Sequence, residues 1–183
     1  MLHVSRNLTI FVTSKSDVNN RRIGIANRML EAADSCHSRK LVIGGMGAIS
    51  LKIVTYTGLT HLHFNGMMKA DDVMQLIRRQ RNLVDLHVND LKLADVQTDF
   101  SIPECTEHEP VAPLDTLLRG LTIRNGYAPM TTHLAFSMLK YLLLRIPTLN
   151  SVTMQFVPVE QIQAFIDEYV QWYPHLANIK LME

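Results

Sequence analysis

A short apolar phrase recurs along the chain and governs what it can fold into. It appears as Leu59–Thr60–His61–Leu62–His63–Phe64, as Leu83–Val84–Asp85–Leu86–His87–Val88, and as Leu118–Arg119–Gly120–Leu121–Thr122–Ile123. It returns as Leu149–Asn150–Ser151–Val152–Thr153–Met154 and as Leu176–Ala177–Asn178–Ile179–Lys180–Leu181. The last two apolar positions of each phrase stand at strand period, so both side chains point to one side of a strand. Leu8–Thr9–Ile10 and Leu41–Val42–Ile43 repeat the alternating pair more weakly, with Ser5 and Ser38 where the first apolar residue would stand. The pattern predicts seven strands.

The stretches between phrases read at helical period. Val18 to Ala33 aligns Ile23, Ala26, Met29, Leu30 and Ala33 on one stripe. Asp71 or Asp72 is expected to cap a helix that turns Val73, Leu76 and Ile77 inward. Thr131 or Thr132 opens the next helix, with Leu134, Met138, Tyr141, Leu142 and Ile146 on its apolar side. Pro147 stops it, because proline removes a helical hydrogen bond. After Pro158, Val159, Ile162, Phe165, Ile166, Tyr169 and Val170 form the last stripe. Helices this short need packing behind the strands to persist. The first strand pair begins at Leu8, and the following ones at Leu41, Leu62, Leu86, Leu121, Val152 and Ile179, which are uneven steps for a repeat. The longest step contains residues 95–113, rich in Asp and Glu and broken by Pro103, Pro110 and Pro113; it reads as an acidic loop inserted into one unit.

Composition narrows the function classes. The 183 residues fit one domain with a substantial core. Lys and Arg total 18 against 17 Asp and Glu, which argues against a nucleic-acid partner held by a basic field. Arg78, Arg79 and Arg81 cluster beside Asp71 and Asp72 and read as a solvated helix face. Two distant cysteines, Cys36 and Cys105, form neither a disulfide framework nor a metal-ligand spacing, which favours a cytoplasmic or nuclear setting. No apolar run reaches the length of a membrane span, so no membrane role is expected.

Leu-x-x-Leu-x-Leu is the strand signature of leucine-rich repeats, and the chain resembles the long-repeat variety of that family, the ribonuclease-inhibitor-like and F-box-associated type. The resemblance implies a curved α/β solenoid, with a parallel sheet on the concave side and helices on the convex side. It also implies a noncatalytic protein-interaction role, of adaptor or substrate-receptor type as in ubiquitin ligases. The chain departs from the family at its turns: Met46, Met67, Leu91, Gly126 and Val157 occupy the positions where asparagine usually bonds turn backbone. The F-box-like segment that usually precedes such repeats is not recognised. The last phrase ends two residues before Glu183, which leads to two expectations, an edge-to-edge homodimer or missing flanking repeats.

If the apolar pairs face the core, the intervening residues line the concave face. Parallel neighbours are expected to stack His61 beside Asp85, His63 beside His87, and Asn65 beside Asn89 and Arg124. With Gln155, these residues form the expected partner-binding surface for a protein. Polar residues on an exposed row need no function, so solvation alone is the alternative for each of them. No metal or cofactor is expected: adjacent strands aim His63, His87 and Asp85 poorly at one tetrahedral centre. No Ser or Cys nucleophile accompanies the histidines, and the chain is expected not to be an enzyme. Two other readings compete. One is a small nucleotide-binding α/β enzyme that uses a turn at Gly44–Gly47, although the third glycine and the acidic partner of a dinucleotide site are missing. The other is a structural fragment of a larger repeat protein.

Overall fold

The computed structural model describes residues 7–12, 39–48, 59–93, 96–101, 111–127 and 131–182. Seven strands form one sheet in sequential order: β1 (Asn7–Val12), β2 (Lys40–Ala48), β3 (His61–Lys69), β4 (Asp85–Lys92), β5 (Gly120–Tyr127), β6 (Ser151–Met154) and β7 (Lys180–Leu181). Every neighbouring pair is parallel. The apolar pairs line up across the sheet. Leu8, Leu41, Leu62, Leu86, Leu121 and Val152 form one row by register, and Ile10, Ile43, Phe64, Val88, Ile123 and Met154 the next.

The phrase works because the chain bends at its first spacer. The Arg39 carbonyl accepts Thr60 N–H and His61 N–H at 2.9 and 3.0 Å, and the Thr60 carbonyl accepts Val84 and Asp85 at 2.7 and 3.1 Å. Val84 repeats this with Arg119 and Gly120, and Arg119 with Asn150 and Ser151. Each bend sends the leading leucine inward while the strand behind it continues the ladder. Leu59, Leu83, Leu118 and Leu149 are accordingly buried, together with the alternating pairs of β3 to β6. Fully burying each such leucine stabilises the fold by about 1.5–3 kcal/mol.

Among the described residues, three helices cover that face. α1 (Ala70–Arg79) joins β3 to β4, α2 (Thr131–Arg145) joins β5 to β6, and α3 (Val159–Tyr169) joins β6 to β7. α1 buries Ala70, Val73, Met74, Leu76 and Ile77, with Asp71 and Asp72 in its first turn and Arg78 and Arg79 in its last, complementing the helix dipole at both ends. Neither aspartate caps it, however: Lys69 is the N-cap and makes no side-chain bond. Asp71 instead accepts hydrogen bonds from Gln97 N–H, Thr98 N–H and the Thr98 hydroxyl, tying the segment after β4 to the start of α1. Burial alone would raise its pKa, but these bonds hold the carboxyl below its ordinary value. Phe100 in the same segment is buried edge-on against Tyr141 of α2.

α2 is buried along most of its length, through Ala135, Met138, Leu139 and the run Tyr141 to Leu144. It ends before Pro147, as its sequence dictates. α3 buries Ile162, Phe165 and Ile166, whereas Val159 at its start is exposed, contrary to the expected stripe. Phe136 and Phe165 meet edge-on at 6.3 Å, joining α2 to α3 under the Lys140 ammonium. The helices and the buried strand residues belong to one hydrophobic cluster. The helix expected over Val18 to Ala33 lies outside the described residues, as does most of the acidic stretch. No helix among the described residues is long and apolar enough to cross a membrane.

The curved solenoid expected from the phrase is not what forms. The sheet is open and uncurled, a parallel sheet flanked by helices. The leucine-rich-repeat and F-box-like description therefore falls, and with it the ubiquitin-ligase adaptor role that rested on it. The physical reason lies in the crossovers. A helix is about 10 Å across while strands lie about 4.8 Å apart, so a helix behind every strand wedges a sheet into an arc. The described residues of the β4–β5 crossover, 96–101 and 111–119, place no helix behind the sheet.

Register also departs from a regular repeat. Pairing shifts between Gly44 and Ala48 of β2, and again between Phe64 and Met67 of β3. At the far edge a 3-10 turn, Pro174–Asn178, takes up Leu176. β7 then pairs Lys180 with Ser151 and Leu181 with Val152, two residues away from the alignment the phrase predicts. A two-residue slip preserves which face each side chain occupies, so it costs no burial.

Candidate functional site

With one face filled by helices, the outward residues of the strands form the opposite surface. By register the first outward row runs Lys40, His61, Asp85, Gly120, Ser151 and Lys180. The second runs Val42, His63, His87, Thr122 and Thr153. His61, Asn65, Asp85 and Arg124 are exposed, His63, His87 and Asn89 are half-buried, and Thr153 is buried toward the β6 side. The expected pairs His61–Asp85 and His63–His87 are both formed. Asn65 beside Asn89 is not: the register slips there, so Asn65 and Gly66 together oppose Asn89. Asn89 keeps Arg124 as its neighbour, because β4 and β5 stay in step from Val88 to Asp90. Gln155 lies past the end of β6, where its N–H donates to the Ile123 carbonyl at 3.3 Å.

The centre of this surface is a pair of stacked imidazoles. The His63 and His87 rings lie 3.9 Å apart between centroids, tilted by 40°. Direct opposition on neighbouring parallel strands brings them together, since opposed side chains there stand about 5 Å apart. Nε2 of each ring is buried, and neither has a hydrogen-bond partner among the described residues. Burial lowers the His63 pKa, with the Arg124 and Lys40 charges adding to it, while the Asn65 hydrogen bond and Asp85 oppose. Burial also pushes His87 down, helped by His63 and Arg124 and opposed by Asp85, to about 4. Both rings are thus neutral near pH 7, and the pair offers flat, weakly polar surface rather than positive charge.

The residues around the pair are held by short polar contacts. The Thr60 hydroxyl donates to the Arg39 carbonyl at 2.9 Å and also lies 2.9 Å from His61 Nδ1. A hydroxyl has one proton to give, so His61 Nδ1–H is the donor to Thr60, which leaves Nε2 as the free acceptor of the neutral ring. Asp85 leans over Gly120, where a Cβ would fall on its Oδ1. Asn125 Nδ2 donates to Asp90 Oδ1 at 2.9 Å and fixes the upper margin of the patch.

Chemically, the arrangement offers imidazole, carboxylate, amide and guanidinium groups on one face of the sheet. Thr122 stands beside His87 in register, and no side-chain hydrogen bond from a described residue activates its hydroxyl for attack. Among the described residues no group of three or more His, Cys, Asp or Glu side chains is placed to hold a metal ion. The glycines Gly44–Gly47 lie inside strand β2 at its pairing irregularity rather than in a turn. Glycine at such a bulge is explained by the backbone it must adopt. The sequence pointed to the histidines and their partners through alternation alone. It placed the two histidines side by side but carried no sign that their Nε2 atoms are buried, nor of the Asp71 tether between distant segments.

No family model, no curated protein and no solved structure matches the chain.

Proposed function

We propose that the protein is a noncatalytic protein-interaction domain, acting in the cytoplasm or nucleus, and that it binds its partner on the open face of the sheet. One observation carries this reading. The face opposite the helices displays the His63–His87 pair with two unpartnered ring nitrogens, amid exposed His61, Asn65, Asp85 and Arg124. Buried polar atoms normally find a partner. The two nitrogens lie below the surface, so a partner first meets the exposed side chains around them and satisfies the rings only by displacing one from the stack. Low cysteine use supports the compartment.

The test is site-specific photo-cross-linking in cells, with the reactive residue at His61 or Thr122 on the sheet and at Glu168 on the outer side of α3. The sheet positions are expected to capture a discrete protein that Glu168 does not. Substituting His63, His87 and Arg124 together should abolish the adduct while leaving the far-ultraviolet circular dichroism unchanged. Capture from Glu168 alone, or capture from the sheet that survives the triple substitution, overturns the proposal.

A further inference from the structure

The open face has an electrostatic character that the whole chain lacks. Its outward strand residues include Lys40, Lys69, Lys92, Arg124 and Lys180, placed by the alternation of β2 to β5 and by the pairing of β7. Against these stand Asp85 and Asp90, and Asp90 is engaged by Asn125. The chain as a whole is almost balanced, at a formal +1. Positive charge is therefore concentrated on the face opposite the three described helices. Among the described outward strand residues whose side chains are placed, no ring other than histidine is present, and the two central histidines stack on each other. Single-stranded nucleic acid binds open sheets chiefly through aromatic rings on which bases stack. Phe11 of β1 and Tyr127 of β5 also stand at outward register positions, but both lie off the row from Lys40 to Lys180, where complementary charge remains to orient a polypeptide.

Resting on the interaction role above, we infer that the partner presents an acidic polypeptide segment that crosses the strands. Its carboxylates seat on Lys40 at one side and on Lys180 at the other, and a neutral polar centre lies over Asp85 and the histidine pair. The first outward row sets the dimensions. From β2 to β7 it crosses five strand spacings of about 4.8 Å, roughly 24 Å, which an extended segment covers in about seven residues. Asp85, exposed near the middle of that row, repels a carboxylate placed there. The complementary segment is acidic at its ends and hydroxyl- or amide-bearing at its centre, not uniformly acidic.

The experiment uses the full chain and three fluorescein-labelled probes of equal length: a peptide with two glutamates at each end and a Ser/Thr centre, its all-glutamate counterpart, and oligothymidylate. Fluorescence anisotropy is read at about 50 and about 300 mM salt, because contacts on an open face are screened over about 10 Å or less. The peptide with acidic ends is expected to bind tightest, more weakly at the higher salt. Lys40→Gln with Lys180→Gln should weaken it about five- to tenfold, the size expected of two exposed ion pairs. Arg79→Gln on α1 should leave it within about twofold. Tighter binding of the oligothymidylate, preference for the all-glutamate peptide, or equal loss from Arg79→Gln overturns the inference. If sheet-face cross-linking succeeds with a partner that lacks any such segment, this inference fails while the interaction role stands.

Discussion

The His87 ring links the fold to acidity in a way that can be measured. Its pKa falls from the ordinary 6.5 to about 4 in the folded chain, chiefly because burial disfavours the charged ring. A depressed folded value means that the unfolded chain binds the proton first. The stability this group contributes is complete above about 6.5 and is lost as pH falls toward about 4. At about pH 5 the unfolded ring is nearly fully protonated and the folded ring nearly neutral, a difference of about 2 kcal/mol for a dry site. Water reaches the open face, and screening reduces this to about 1 kcal/mol. The perturbation is His87→Asn, which removes the titrating group while keeping a polar side chain. Urea denaturation of both proteins at about pH 7 and about pH 5 isolates the term, because the carboxylates titrate alike in each. The wild type should lose about 1 kcal/mol more than the variant over that interval. Equal losses, or an NMR titration of the His87 ring centred at or above 6.5, would refute the reasoning.

Three further outcomes follow from the packing. Leu86 is fully buried near the start of the central strand β4, so Leu86→Ala should cost about 2–5 kcal/mol in chemical denaturation. Asp71→Ala removes the acceptor of three hydrogen bonds from Gln97 and Thr98 and should cost about 1–3 kcal/mol, with faster amide exchange at those two residues and little change in β3. Gly120→Ala forces the Asp85 carboxylate aside, at a cost of about 1 kcal/mol that should vanish in an Asp85→Ala background; a cost that persists there would place the strain in the backbone instead.

The recurring phrase made the strands and their facing legible. Leu62, Leu86, Leu121 and Val152 share a row because an alternating pair behind a fixed bend leaves little choice of register when one face must be buried. The same pattern placed His63 opposite His87. It was silent on curvature, because curvature is decided by the width of what packs behind the strands rather than by the strands. The segment from Val96 to Ser101 shows why: it lies in a crossover, yet it is anchored by Asp71 and by buried Phe100 without forming a helix. The slip of β7 was hidden for a similar reason. Ile179 and Leu181 alternate as a strand pair should, but Pro174 starts a 3-10 turn that delays the strand. Asn65 lost its neighbour to a bulge at Gly66, which strict alternation does not foresee. The alternating phrase thus placed the strands and their buried side, whereas the curvature that the resemblance to leucine-rich repeats implied does not form.

Whether the sheet face or the helical face receives the partner is the question on which the account turns. Amide chemical-shift mapping answers it directly, with the isotope-labelled chain titrated by the protein captured through the His61 cross-link. The largest shifts are expected on His61, His63, Asp85, His87 and Arg124, with the exposed turns of α1 and α3 unmoved. Shifts concentrated on Arg78, Arg79 and the outer side of α3, with the histidine pair unchanged, would contradict it.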